Sequence, residues 1–89
     1  MKRRAFCIYI NTLGEGAVPS VRGEKNLPYV FDTEIDAQRE IADFVVTRLQ
    51  EFIDGEREFE DATTLEEYVE EVVRRIDGSV TTKDGSTFS

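Results

Sequence analysis

The chain is expected to fold as an α+β domain: a small, largely antiparallel sheet packed against one long helix (33–54) and a shorter second helix. Three observations carry that expectation. Ala5-Phe6-Cys7-Ile8-Tyr9-Ile10 is a run of β-branched and aromatic residues, the composition of a strand. Between Thr33 and Gly55, apolar residues recur at steps of three and four, the period of a helix. Near the end, Asp77-Gly78 and Lys83-Asp84-Gly85 are turn signals beside short runs suited to strands. A chain of 89 residues forms one domain, 1–89, with a modest core.

The first strand is apolar on both faces, with Phe6, Ile8 and Ile10 on one side and Ala5, Cys7 and Tyr9 on the other. It is therefore expected to be central, or covered on both sides. Cys7 then reads as a small buried hydrophobe. From Asn11 to Asn26 the pattern dissolves into a long loop punctuated by Gly14, Gly16, Pro19 and Gly23. Leu27-Pro28-Tyr29-Val30-Phe31 reads as a second strand, placed at an edge by Pro28.

Thr33 with Asp36 approximates a capping box, and Glu34 and Asp36 complement the positive end of the helix that follows. Ile41, Val45, Leu49 and Phe52, widened by Ile35, Ala42 and Ile53, form the stripe expected to face the core, and Gly55 supplies the stop. Residues 56–62 read as a linker, with Phe59 pinning it to the core. A second helix is expected over 64–76, from the Thr64/Glu67 capping spacing, the stripe Leu65, Val69, Val72, Ile76 and the pairs Glu70–Arg74 and Glu71–Arg75. The Val-rich run 68–76 before Asp77-Gly78 also fits the first arm of a β-hairpin. A small hairpin over 79–88 closes the chain, with Phe88 deciding whether the tail docks.

Composition excludes much chemistry. With no His there is no Ser-His-Asp or Cys-His centre and no His-containing zinc site; one Cys forms no internal disulfide. Gly14-Glu15-Gly16 lacks the third Gly of a dinucleotide loop, since Pro19 stands there, and no Gly-Lys-Ser/Thr occurs. The acidic run Glu56, Glu58, Glu60, Asp61 lacks the central Gly of a calcium loop. Carboxylates on solvent faces of so small a domain do not suit acid–base chemistry. No enzyme, cofactor or metal is expected. The apolar run after Met1-Lys2-Arg3-Arg4 ends after six residues, too short for a secretory core, and a soluble cytoplasmic protein is expected, with no membrane partner.

Charge carries the functional expectation. Net charge is −8, yet residues 1–31 hold five basic and two acidic groups while 32–77 hold sixteen acidic and five basic. Such a balance argues against direct nucleic-acid binding. At 100° per residue, Asp36, Glu40, Asp43, Glu51 and Asp54 fall within about 80° of one another, along roughly 27 Å of helix. Arg39 sits at one margin and Phe44 at the other. Solvated faces ordinarily mix signs, whereas Asp36/Glu40 and Glu40/Asp43 repel. The expected function is that of an acidic, non-enzymatic binding protein, an inhibitor or decoy that occupies a basic, nucleic-acid-binding surface of a partner protein. Its contact residues would be Asp36, Glu40, Asp43, Phe44, Glu51 and Asp54. The alternatives are a small-ligand or scaffold module working through the 11–26 loop with Arg22 and Lys25, self-association through the 27–31 edge, or no specialised surface at all.

Overall fold

The computed structural model describes residues 3–89; the basic start at Met1-Lys2 lies outside the described residues. Five strands and two helices follow one another as β1 (Arg3–Thr12), β2 (Gly16–Pro19), α1 (Glu34–Ile53), α2 (Phe59–Thr63), β3 (Tyr68–Arg74), β4 (Val80–Thr82) and β5 (Thr87–Phe88). The strands form one antiparallel sheet in the order β2-β1-β3-β4-β5. The expected α+β class is therefore observed, with β1 central.

Alternation along β1 divides the core in two. Ala5, Cys7 and Tyr9 join Val72 and Val80 on one face, while Ile8 joins Phe31 and Ala37 on the other, flanked by Phe6, Ile41, Phe44 and Val69. The helix covers the second face. The first is covered by the sheet itself. A flat sheet would set β5 about 14 Å from β1, three strand spacings away. Yet the rings of Tyr9 and Phe88 are 5.5 Å apart, edge to face. The sheet curls around this cluster, and Arg22 clips the end of the chain to the opposite side by donating from Nη1 to the Ser89 carbonyl at 2.9 Å.

Several expectations are corrected. Residues 64–76 are not a helix: β3 pairs along its whole length with β1, from Arg3↔Arg74 to Tyr9↔Tyr68. The charge pairs that favoured a helix contribute a few tenths of a kcal/mol each, whereas the strand buries Val72 completely and pairs the open edge of β1. The shorter helix lies instead at Phe59–Thr63, in the expected linker. Its Phe59 meets the ring of Phe52 at 5.2 Å and stays 58% exposed, so it pins the segment to α1 and not to the core.

Loop 11–26 is also shorter than expected, because Gly16, at φ +73°, turns the chain back into β2. Residues 27–31 form no strand. Phe31 exchanges two backbone hydrogen bonds with Phe6 (2.8 and 2.9 Å), while Pro28, without an N–H, makes only an isolated bridge to Arg22. The edge-strand route to self-association therefore lacks its strand. The closing hairpin forms as expected, β4 against β5. No helix among the described residues is long and apolar enough to cross a membrane.

Candidate interaction surface on the long helix

Helix α1 begins as its sequence dictates. Thr33 is the N-cap, its Oγ1 accepting from the Asp36 N–H at 3.2 Å, with Glu34 and Asp36 in the first turn. Its orientation differs from the expected one. Ala37, Ile41 and Phe44 pack toward the sheet, with Ala37 fully buried. The next inward position, one turn past Phe44, is a cation. Arg48 donates from Nη1 and Nη2 to Glu67 at 3.1 and 2.8 Å, with side chains only 16% and 13% exposed. Its Nε also reaches the Phe44 carbonyl at 3.4 Å. This bidentate pair fastens the middle of α1 to the segment leading into β3.

The expected inward stripe consequently lies largely in solvent. Ile41 and Val45 of that stripe are half-buried, but Ile35 is 52% exposed and Ile53 71%; Leu49, Phe52 and Ala42 are exposed as well, and so, from outside the stripe, is Val46 at 64%. The exposed positions fall on one side of the helix, within about 120° at 100° per residue. They form a continuous apolar band, extended by Phe59 from α2. Among the expected site residues, Phe44 is drawn toward the core.

The carboxylates stay together on the other flank of the helix, centred about 160° from that band at 100° per residue, with Arg39 and Gln50 between the two on the outer face. Asp36, Asp43 and Asp54 are exposed, and Glu40 and Glu51 are partly so. Two of them are shared with cations. Asp36 lies 3.8 Å from Arg39, and Glu51 accepts from Arg57 Nε and Nη2 at 3.2 and 3.0 Å. Arg57 also bridges to Asp61, and hydrogen bonds to Glu51 and then Asp61 hold its guanidinium more firmly protonated than usual. Asp54 accepts from Gln50 Nε2 at 3.0 Å. Among the described residues Glu40 and Asp43 have no ion-pair partner.

The alternative cationic loop is arranged differently. Arg22 is committed to the backbone carbonyls of Asn26 and Ser89, both at 2.9 Å. Lys25 and Asn26 adopt left-handed backbone at φ 57° and 59°. The hollow beside Lys25 and Arg74 also carries Glu24 and Asp77, so its walls balance in sign and offer an anion no net attraction.

The sequence shows the carboxylate row on one face, but an inward stripe centred on Ile41, Val45, Leu49 and Phe52 turns the helix about its axis relative to the observed inward line Ala37, Ile41, Phe44 and Arg48. The signal that could have corrected it was Ala37, the small residue at which a helix approaches a sheet closely. No protein-family model, curated protein or solved structure matches this chain.

Proposed function

We propose that this protein is an acidic, non-enzymatic binding protein, and that the carboxylate flank of α1 docks on a basic surface of a partner protein. The observation that carries this reading is the row of carboxylates Asp36, Glu40, Asp43 and Asp54 on one solvent-facing flank of α1, of which Glu40 and Asp43 have no ion-pair partner among the described residues. Solvated helix faces ordinarily mix signs, whereas this row sets like charges three and four residues apart.

The placement of the acid supports the same conclusion. The last turn of α1 contains no basic residue, and its C-cap is Asp54. Negative charge at that end opposes the helix dipole by about 0.3–1 kcal/mol per group. Stability alone would favour Lys or Arg there. A basic partner would relieve the repulsion on contact, and opposed potentials would steer the encounter. A row of carboxylates about 27 Å long also spans several phosphates of a duplex strand at roughly 3.4 Å per charge, so a nucleic-acid-binding surface is the partner class it suits best.

The test is competition. Immobilised protein is used to capture partners from cell extract, and the bound fraction is then challenged with a duplex DNA oligonucleotide. Release of the partner by duplex, at a salt concentration where duplex-free buffer leaves it bound, is the expected result. A partner that holds duplex and this protein simultaneously would refute the decoy mechanism.

A further inference from the structure

The curled sheet leaves one mouth open, between the β1–β2 turn, the start of β3 and the β4–β5 turn. It encloses about 360 Å³, within the range of small-ligand sites, which often lie in the mouths of barrel-like sheets. Its construction differs from the rest of the surface. Three rings form the wall: Tyr9 stands 6.2 Å from Tyr68 and 5.5 Å from Phe88, centroid to centroid. Each reaches the mouth by register, Tyr9↔Tyr68 across β1 and β3 and Val80↔Phe88 across β4 and β5.

The polar groups around these rings are short of donors and of positive charge. The Tyr9 hydroxyl is buried and has no hydrogen-bond partner among the described residues, and the whole side chain is 1% exposed. An unsatisfied buried hydroxyl costs about 1–3 kcal/mol, which a hydrogen-bonding ligand at the mouth would recover. Glu70, opposite Cys7 on the same interior face as Tyr68, is half-buried, and among the described residues no ion pair engages it. Glu15 and Asp84 add two more carboxylates at the rim. Hydrogen bonds from the Thr82 hydroxyl and the Ser86 N–H hold Asp84 ionised. The one cation of the lining, Lys83, is turned to Glu71 at 3.4 Å.

We propose that this mouth binds an organic ammonium group. Aromatic faces attract such cations through their quadrupoles, carboxylates neutralise them, and an N–H or polarised N–CH₃ is the donor that the Tyr9 oxygen lacks. Burial and then the nearby Cys7 and Glu70 raise the Tyr9 pKa, so the phenol stays neutral and available as an acceptor. The same chemistry comes from a free amine or from a lysine side chain of another protein. This site is distinct from the α1 surface and stands or falls apart from it.

The experiment is a titration at constant ionic strength followed by ¹H–¹³C and ¹H–¹⁵N NMR. The probes are choline chloride, its neutral isostere 3,3-dimethylbutan-1-ol and the peptide acetyl-Gly-Lys-Gly-amide. Choline is expected to give saturable shifts at Tyr68, Phe88 and Glu70, with Kd on the order of 1 mM. Glu70→Gln, which preserves shape, is expected to weaken it about fivefold, the factor for a half-exposed charge contact. Tyr68→Leu removes one wall and is expected to weaken it similarly, while the fold is checked from the remaining resonances. Tighter binding of the peptide than of choline identifies a protein-borne lysine as the source, and the reverse order a free amine. The proposal is overturned if the neutral isostere binds as well as choline. It is overturned equally if the shifts fail to saturate or appear alike at the α1 carboxylates, the pattern of a diffuse ion atmosphere.

Discussion

Breaking the Arg48–Glu67 pair should loosen α1 from the sheet, and the size of the effect follows from its burial. Exposed ion pairs contribute about 0–1 kcal/mol, whereas breaking a fully buried one costs about 3–5. At 16% and 13% exposure, with two hydrogen bonds of 3.1 and 2.8 Å, this pair lies between those limits. Arg48→Met and Glu67→Leu should each destabilise by about 2 kcal/mol, since each strands one charge in a poorly solvated place. In a domain of this size that lowers Tm by roughly 8–16 °C. The double variant leaves no stranded charge and should lose only about 1 kcal/mol, giving a coupling near 3 kcal/mol. Urea unfolding followed by far-UV circular dichroism measures all four proteins on one scale. Single variants that each lose under about 0.5 kcal/mol and add in the double would show a solvated contact. The argument that this pair sets which face of α1 meets water would then be wrong.

Three further predictions test the fold. Burial pushes the Cys7 thiol up to about 11, so at pH 8 the folded protein should react with a disulfide reagent at least about 100-fold more slowly than the urea-unfolded chain; equal rates would contradict a buried Cys7. Gly78 and Gly85 both have left-handed backbone, at φ +88° and +91°, but only at Gly78 would an added Cβ meet another residue, 2.5 Å from Leu27 Cδ1. Gly85→Ala should therefore cost about 1 kcal/mol and Gly78→Ala about 2 in the same urea assay, and equal losses would remove the Leu27 contact. Asp77 and Asp84 are held below the usual carboxylate pKa, Asp77 by the Ser79 hydroxyl and N–H, Asp84 by Thr82 and Ser86. Their folded pKa values are depressed, so the stabilisation they give is complete above about pH 4 and lost as pH falls through their folded midpoints. Carboxyl ¹³C titration should place both midpoints below that of Asp in the unfolded chain.

What the residues disclosed in advance followed from how local each signal was. The Thr33 cap, the extent of α1 and the closing hairpin rest on contacts within a few residues, and the interior place of β1 was marked by its two apolar faces; all were legible. The local signals in 64–76 fitted both a helix and, over 68–76, the first arm of a hairpin at Asp77-Gly78; the hairpin reading is the one observed, decided by the vacant edge of β1 some sixty residues earlier in the chain. The facing of α1 depended on Arg48 finding Glu67, so a cation took an inward position that periodicity reserves for an apolar residue. The carboxylate row was visible because charge needs no partner to be counted. The apolar band on the other flank was visible as residues, but most of it was assigned to the core. The aromatic mouth was invisible, since Tyr9, Tyr68 and Phe88 meet only when the sheet curls.

The central claim is that the carboxylate row of α1 is a working surface. Its most direct test compares capture by the wild type with capture by Asp36→Asn/Glu40→Gln/Asp43→Asn/Asp54→Asn. Glu51 is kept because it holds Arg57. Relief of the repulsion along the row and at the C-terminal end of α1 offsets the loss of Asp36 from the first turn, so the variant should stay within about 1 kcal/mol of the wild type, and loss of binding by the folded variant reports on contact. The account predicts a partner retained by the wild type, released at moderate salt and absent from the folded variant. The same partner held equally by both proteins would contradict it.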